Sequence, residues 1–237
     1  NMNIFILNDQ SVKTVRNTHS ALKGKKLIAR GQFSGVYESG NSDTVLKLSI
    51  DAMGYESLFG PYSLSRESNH FTRPIRDFGK VGEFIVGKNI SKTAITQPKT
   101  MPVPMYLYEV ERLHKLPVKG PNRSLVNRIC KKLRILNGCS FIDDRHERNI
   151  TCLMDLAFDD HLKDHPSLSM SFLTMAKFLK QNSDAFPDLH TGNFMQRQDG
   201  TLVISDPVGS TSIYECCNTF KPVSYDAPLK NEELNCA

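Results

Sequence analysis

Late in the chain the sequence reads Asp188-Leu-His-Thr-Gly-Asn193, and thirteen residues after Asn193 comes Asp206-Pro-Val208, at the end of the β-forming run TLVIS. Two carboxylates and an amide at the edges of a short β-hairpin can converge on one point. One carboxylate, Asp188, can accept a proton from a substrate hydroxyl. Asn193 and Asp206 offer hard oxygen ligands of the kind Mg²⁺ takes when phosphates complete its shell. Lys47, inside the run TVLKL, adds a cation tethered among apolar side chains, which is unfavourable unless an anion accepts it, and a phosphate is a natural anion. Upstream, Ile28-Ala-Arg-Gly-Gln-Phe-Ser-Gly-Val-Tyr37 holds small residues at Ala29, Gly31 and Ser34, which let the backbone approach a triphosphate. Phe33 is placed at the turn tip to close over it.

Such groups need a frame, and the punctuation supplies one. Leu27–Ile28 and Val36–Tyr37 flank the glycine-containing turn, Ser39–Asp43 makes a tight connection, and Thr44–Leu48 follows as a strand. Further strands are expected at Glu83–Val86 and Met105–Val110, joined by the polar, proline-containing stretch SKTAITQPKTMPVP. Gly54–Leu64 predicts a short helix interrupted at Gly60-Pro61. From about Asn122 the periodicity turns helical, with helices expected over Arg123–Leu136 and Leu168–Lys180. A turn at Gln198-Asp199-Gly200 then joins two strands. The expected architecture is α+β in two unequal lobes, a β-rich N-terminal lobe over 2–110 and a mostly helical C-terminal lobe over 111–237.

The 237 residues are 39% hydrophobic and 23% charged, with mean hydropathy −0.35, a composition that argues for a folded globular chain and against a disordered or fibrous one. No apolar run is long enough to span a membrane and no secretory leader is evident, so a cytosolic protein is expected. A net charge of +5 is too mild to argue for direct nucleic-acid binding. The excess is partly local: RSLVNRICKKLR, Arg123–Arg134, has five basic residues and no acid. It reads as a helix with one apolar stripe and a solvated basic face, with docking of an acidic protein or RNA as the alternative. The six cysteines form no C-x-x-C pair and no zinc-like spacing with the histidines.

Taken in order, glycine turn, strand lysine, helix, D-x-x-x-x-N and a strand-end aspartate are the parts of a phosphoryl-transfer enzyme. The chain resembles the protein-kinase-like fold. The glycine turn lies on the pattern G-x-G-x-x-G-x-V, with Val36 in register and only the central glycine kept. The strings ARGQFSGVY and FPDLHTGNFMQRQDGTLVISDPV are similar to the early serine/threonine protein kinases of T7-like bacteriophages. That resemblance implies an ATP- and Mg²⁺-dependent enzyme in the cytoplasm of the infected host, acting on host proteins such as transcription or RNA-processing machinery. It implies Asp188 as catalytic base, Asn193 and Asp206 as metal ligands, and Lys47 as the holder of the α- and β-phosphates. Val36 and Val45 become the roof of an adenine pocket, Met195 its floor and Tyr108-Glu109-Val110 its hinge. For the acidic partner of Lys47 both Glu56 and Glu67 are open, with Glu56 favoured for its more apolar segment.

The departures are informative. His190 stands where a lysine would contact the γ-phosphate, and D-x-H-x-G-N also resembles small-molecule phosphotransferases of the aminoglycoside type. A host-protein binder without catalysis is the third reading. D-F-G is replaced by Asp206-Pro207-Val208, which implies a fixed site without a phenylalanine switch. The short stretch after Asp206 implies a reduced helical lobe. Ser210, Thr211 and Ser212 read there as a polar stretch open to self-phosphorylation.

Overall fold

A computed structural model describes residues 6–86, 101–138 and 145–217. Five antiparallel strands form the main sheet: β1 (Leu27–Arg30), β2 (Ser34–Glu38), β3 (Thr44–Ser49), β4 (Pro74–Val86) and β5 (Met101–Glu111), in the spatial order β1-β2-β3-β5-β4. Period-two alternation gives the sheet two distinct faces. Leu46 and Leu48 of β3 point to one face with Tyr37, Met105 and Leu107, while Val45 on the other face meets Val110 and Tyr108. The first face is sealed by Ile6, Leu7 and the helix α1 (Gln10–Thr18), whose Val12 and Val15 are buried there and whose start is capped by Asp9. Only two buried apolar residues mark α1, which explains why its sequence gives no clear helical period.

Strand β5 runs farther than its apolar core suggests, taking in Pro102 and Pro104 opposite Ile85 and Glu83 of β4. Its pairing with β3 reaches only Tyr106. Both prolines therefore sit where β5 has lost its second neighbour, and their missing N–H groups leave no ladder incomplete. The connection over 91–100 lies outside the described residues.

The second core is helical. Helices α4 (Pro121–Gly138), α5 (Arg145–Ala157) and α6 (Pro166–Gln181) bury Val126, Ile129, Leu153, Phe172 and Met175 against one another. Each such side chain contributes roughly 1.5–3 kcal/mol. α4 and α6 match the expected helices; α5 begins in the polar run RHERN, which hides it. Below them lie a three-stranded sheet of β6 (His114–Lys115), β8 (Phe194–Gln196) and β9 (Leu202–Ile204), and a two-stranded ladder of β7 (Ala185–Pro187) with β10 (Val208–Ser210). The short helices α2 (Ala52–Phe59) and α3 (Leu64–Glu67) follow β3, and α7 (Thr211–Cys217) follows β10. The break between α2 and α3 falls at Gly60-Pro61, as expected.

The two cores do not divide at a single point of the chain. Leu64 and Phe71 join the helical core, and Ile213 of α7 joins the sheet core. Residues 69–72 cross between them: Phe71 bridges Ile204 of β9 in parallel, and the Ile204 N–H donates to the His70 carbonyl at 2.7 Å. Arg197, 8% exposed, fastens this crossing. Its guanidinium donates to both carboxylate oxygens of Glu111 at 2.7 and 2.8 Å and to the carbonyls of Asn69 and Phe71. Among the described residues no helix is long and apolar enough to cross a membrane.

Arg197→Met should lower stability by about 3–5 kcal/mol in chemical denaturation, because it strips the largely buried Glu111 carboxylate of its charged partner and leaves it only the Arg73 N–H. The exposed Lys80–Glu83 pair is the control, and Lys80→Ala should change stability by less than about 1 kcal/mol.

Candidate functional site

Alternation along β3 points Lys47 to the same face as Val45, toward the helical half. Its ammonium is ion-paired with Asp206 Oδ1, so a strand lysine and a loop aspartate far apart in sequence meet across the gap between the two sheets. Burial disfavours the charge, yet Asp206, Tyr108 and Asp51 more than offset it and raise the Lys47 pKa above its ordinary value. The Tyr108 phenol beside it is pushed up to about 12, chiefly by burial, and stays neutral.

Asp188 reaches the same place through Asn193. The Asn193 Nδ2 donates to the Asp188 carbonyl at 2.7 Å, to Asp188 Oδ2 at 2.9 Å and to the Asp206 carbonyl at 3.1 Å. The Asp188 N–H donates to the Pro207 carbonyl at 3.0 Å, and Ser205 donates to the Asn193 carbonyl from both its N–H and its hydroxyl. One amide thus staples two loops so that two carboxylates face one space, as the spacing predicts. Burial raises the Asp188 pKa, while His190 and Asn193 act in the opposite direction.

His190 caps the 3₁₀ turn Thr191–Asn193 by accepting the Gly192 N–H at Nδ1, 3.1 Å away. Its Nε2 lies 3.8 Å from Asp188 Oδ1. Gly192 is required for this approach, since a Cβ there would stand 2.9 Å from the imidazole. Met195 sits on β8 opposite Val203, and Phe194 and Ile204, the alternating pair, enter the helical core. Met195 therefore faces away from that core, toward the sheet.

At the other end, β1 and β2 form the hairpin around Gly31, whose N–H donates to the Ser34 carbonyl at 2.9 Å. Ala29 stands opposite Val36. Val36 and Val45 lie on the inner face with Tyr108 and Val110. Phe33 does not extend over that face: its side chain packs against the outer-face core. The glycine that packing demands is Gly35, where a Cβ would come within 2.8 Å of Leu7.

Two further placements differ from the sequence reading. Tyr108, Glu109 and Val110 lie within β5, paired with Lys47, Leu46 and Val45 of β3 and, on the other edge, with β4. Their backbone groups belong to the ladders. The chain leaves the sheet between β5 and β6, after a last bond from the Arg112 N–H to the Asp43 carbonyl at 2.7 Å. Nor does Glu56 reach Lys47, because its carboxylate folds back over Gly60, and Glu67 is exposed on α3.

The other carboxylate whose charge acts on the Lys47–Asp206 pair is Asp51, which no sequence motif singles out. It caps α2, accepting at Oδ1 from the Met53 and Gly54 N–H groups, both at 3.1 Å, and from the Ser210 hydroxyl at 2.8 Å. The available signal was its position as an N-cap directly after a strand that carries a buried lysine. Ser210 is buried and committed to this contact, and the Ser212 hydroxyl donates to Asp184. Residues 210–212 are thus strand and helix start rather than an open polar stretch.

Asp188, Asp206 and the Asn193 amide form an oxygen donor set of hard character, suited to Mg²⁺. Among the described residues no group of three or more His, Cys, Asp or Glu is placed to hold a metal ion. A cation that shares phosphate oxygens needs only one or two carboxylates from the protein. Compared with known families, with curated proteins and with solved structures, the chain gives no match.

Burial pushes the Asp51 pKa up from 3.8 to about 6. Folding therefore takes up a proton at Asp51 between about pH 4 and pH 6, and the stability linked to it is full in acid and lost as pH rises through about 6. Asp51→Asn keeps an N-cap acceptor and should flatten that part of the stability–pH profile, measured by denaturation from pH 4 to 7.5.

Proposed function

We propose that the chain is an ATP-dependent protein kinase that transfers the γ-phosphate of Mg-ATP to serine or threonine hydroxyls of host proteins during bacteriophage infection. The observation that carries this reading is the convergence of Lys47, Asp188, Asn193 and Asp206 at one interface between a five-stranded sheet and a helical core. The spatial order β1-β2-β3-β5-β4, with the lysine on β3, supports it. So does the resemblance of the Asp188–Asn193 and Asp206 strings to phage early kinases, which also supplies the expected targets, transcription or RNA-processing machinery.

In this reading ATP supplies the phosphoryl group and Mg²⁺ neutralises its charge. Asp188 accepts the proton of the acceptor hydroxyl, its pKa raised above the ordinary carboxylate value by burial. Lys47 holds the α- and β-phosphates, Asn193 and Asp206 serve the cation, and the turn at Ala29, Gly31 and Ser34 lies against the phosphates. Val36 and Val45 above and Met195 below enclose the adenine, and the backbone of Leu113, just past the last bonded N–H at Arg112, rather than that of Tyr108–Val110, meets its polar edge.

His190 supports a second reading. It occupies the lysine position of the catalytic loop, caps that loop and faces Asp188, as the D-x-H-x-G-N pattern of small-molecule phosphotransferases would have it.

Incubation with γ-labelled ATP and Mg²⁺, with host lysate in one arm and small-molecule acceptors in another, separates the two: label on lysate proteins supports the protein kinase, and label only on a small molecule replaces it with the second reading. Asp188→Asn should reduce transfer about 10²–10⁴-fold with nucleotide affinity nearly unchanged. Asp206→Asn should weaken Mg-ATP binding roughly 10–100-fold by calorimetry as well as slowing transfer. Wild-type Mg-ATP affinity in Asp206→Asn would remove Asp206 from the metal site.

A further inference from the structure

Asp51 and Ser210 join two elements that the chain separates widely. The Ser210 hydroxyl on β10 donates to Asp51 Oδ1 at 2.8 Å and accepts the Met53 N–H at 3.0 Å. The same Asp51 oxygen takes the Met53 and Gly54 N–H groups at the start of α2, and the Asp51 N–H donates to the Ser49 hydroxyl at the end of β3. Next to Ser210, Gly209 leaves the space this contact needs, because a Cβ would meet Asp51 Oδ2 at 3.4 Å and the Phe186 ring at 2.9 Å. β3, α2 and β10 are thus tied at one buried point, four residues from Lys47 on one side and four from Asp206 on the other.

We propose that Asp51, clamped by Ser210, is the positioning carboxylate of Lys47, fixing α2 and β10 as one unit with the ammonium. The role toward nucleotide rests on the reading of the site given above; the clamp itself does not. The clamp geometry gives Lys47 a fixed second carboxylate on the element that follows its own strand. Asp206 alone would have to balance Lys47 and also offer its oxygens to a cation. A second carboxylate acting on the ammonium keeps Lys47 held when Asp206 is shared. A glutamate on the middle of α2 cannot take this part, since Glu56 turns away over Gly60. The N-cap position serves instead because it follows the lysine strand directly and its orientation is locked by three donors.

Two substitutions test the proposal. Ser210→Ala removes the link while leaving Asp51 its two cap bonds. Hydrogen exchange should then accelerate about tenfold or more, since both hydrogen bonds of the Ser210 hydroxyl are lost, at the start of α2 and in β10 together. Acceleration in β10 alone, or in neither, overturns the clamp. Asp51→Asn preserves the cap acceptor and removes the charge, so it should retain wild-type exchange at Met53 and Gly54 but bind Mg-ATP about tenfold more weakly. Wild-type affinity in Asp51→Asn, with a loss only in Asp51→Ala, would reduce Asp51 to a helix cap and overturn its role toward Lys47. A wild-type protein that binds no nucleotide would instead defeat the kinase reading, and the exchange measurement on Ser210→Ala would still decide the clamp.

Discussion

The buried guanidinium of Arg197 fixes the distance between the two halves of the molecule. It is surrounded by one carboxylate and two backbone carbonyls from two separate stretches, the end of β5 and the crossing at 69–71. A planar cation with donors in a rigid fork can satisfy these acceptors at once, which a lysine cannot. Because Glu111 closes β5 and Arg197 follows β8, the bond sets the sheet against the hairpin that carries Asn193 and leads to Asp206. The inner face of β3, with Lys47 on it, then falls opposite Asp206. Without that spacing the ammonium would lose its direct ion pair with Asp206, and burying it would be more unfavourable.

Within the gap so defined, charge is arranged in layers. Lys47 lies between carboxylates; Asp188 and Asp206 are kept together, despite their mutual repulsion, by the Asn193 amide that bonds to both loops. Neutral groups do the joining, and charged groups are left facing the gap. This is the distribution expected of a site whose ligand brings both negative phosphates and a cation. Proline after Asp206 keeps the one backbone group that the loop uses there, the carbonyl that accepts the Asp188 N–H.

The outer face of the sheet has a different task. Residues 6–18 cover it, and their close packing on Gly35 accounts for a glycine in β2 that a phosphate-binding pattern alone would not require. Phe33 is drawn to the same core. The glycine turn is therefore backed by packed side chains on one side and open on the other, which limits its travel relative to β3.

Local spacing is enough to read the helical periods of α4 and α6, the strand carrying Lys47, the turn at Gly200 and the grouping of Asp188, Asn193 and Asp206, because each rests on a 3.6- or 2-residue period, a turn glycine, or a motif within one hairpin. Tertiary structure decided the rest. That the backbone of Tyr108–Val110 is committed to ladders depends on how far β3 and β4 pair with β5, which no residue in β5 encodes alone. Which acid stands by Lys47 depends on how α2 leaves β3: the helix starts at once, so its N-cap Asp51 lies beside the ammonium and Glu56, a turn farther along, does not. Ser210 looked like an exposed hydroxyl in a polar stretch, and becomes a buried clamp only because β10 returns against β7 and α2. These are long-range choices, fixed by burial and by the need to satisfy every buried polar group, and a linear pattern carries neither.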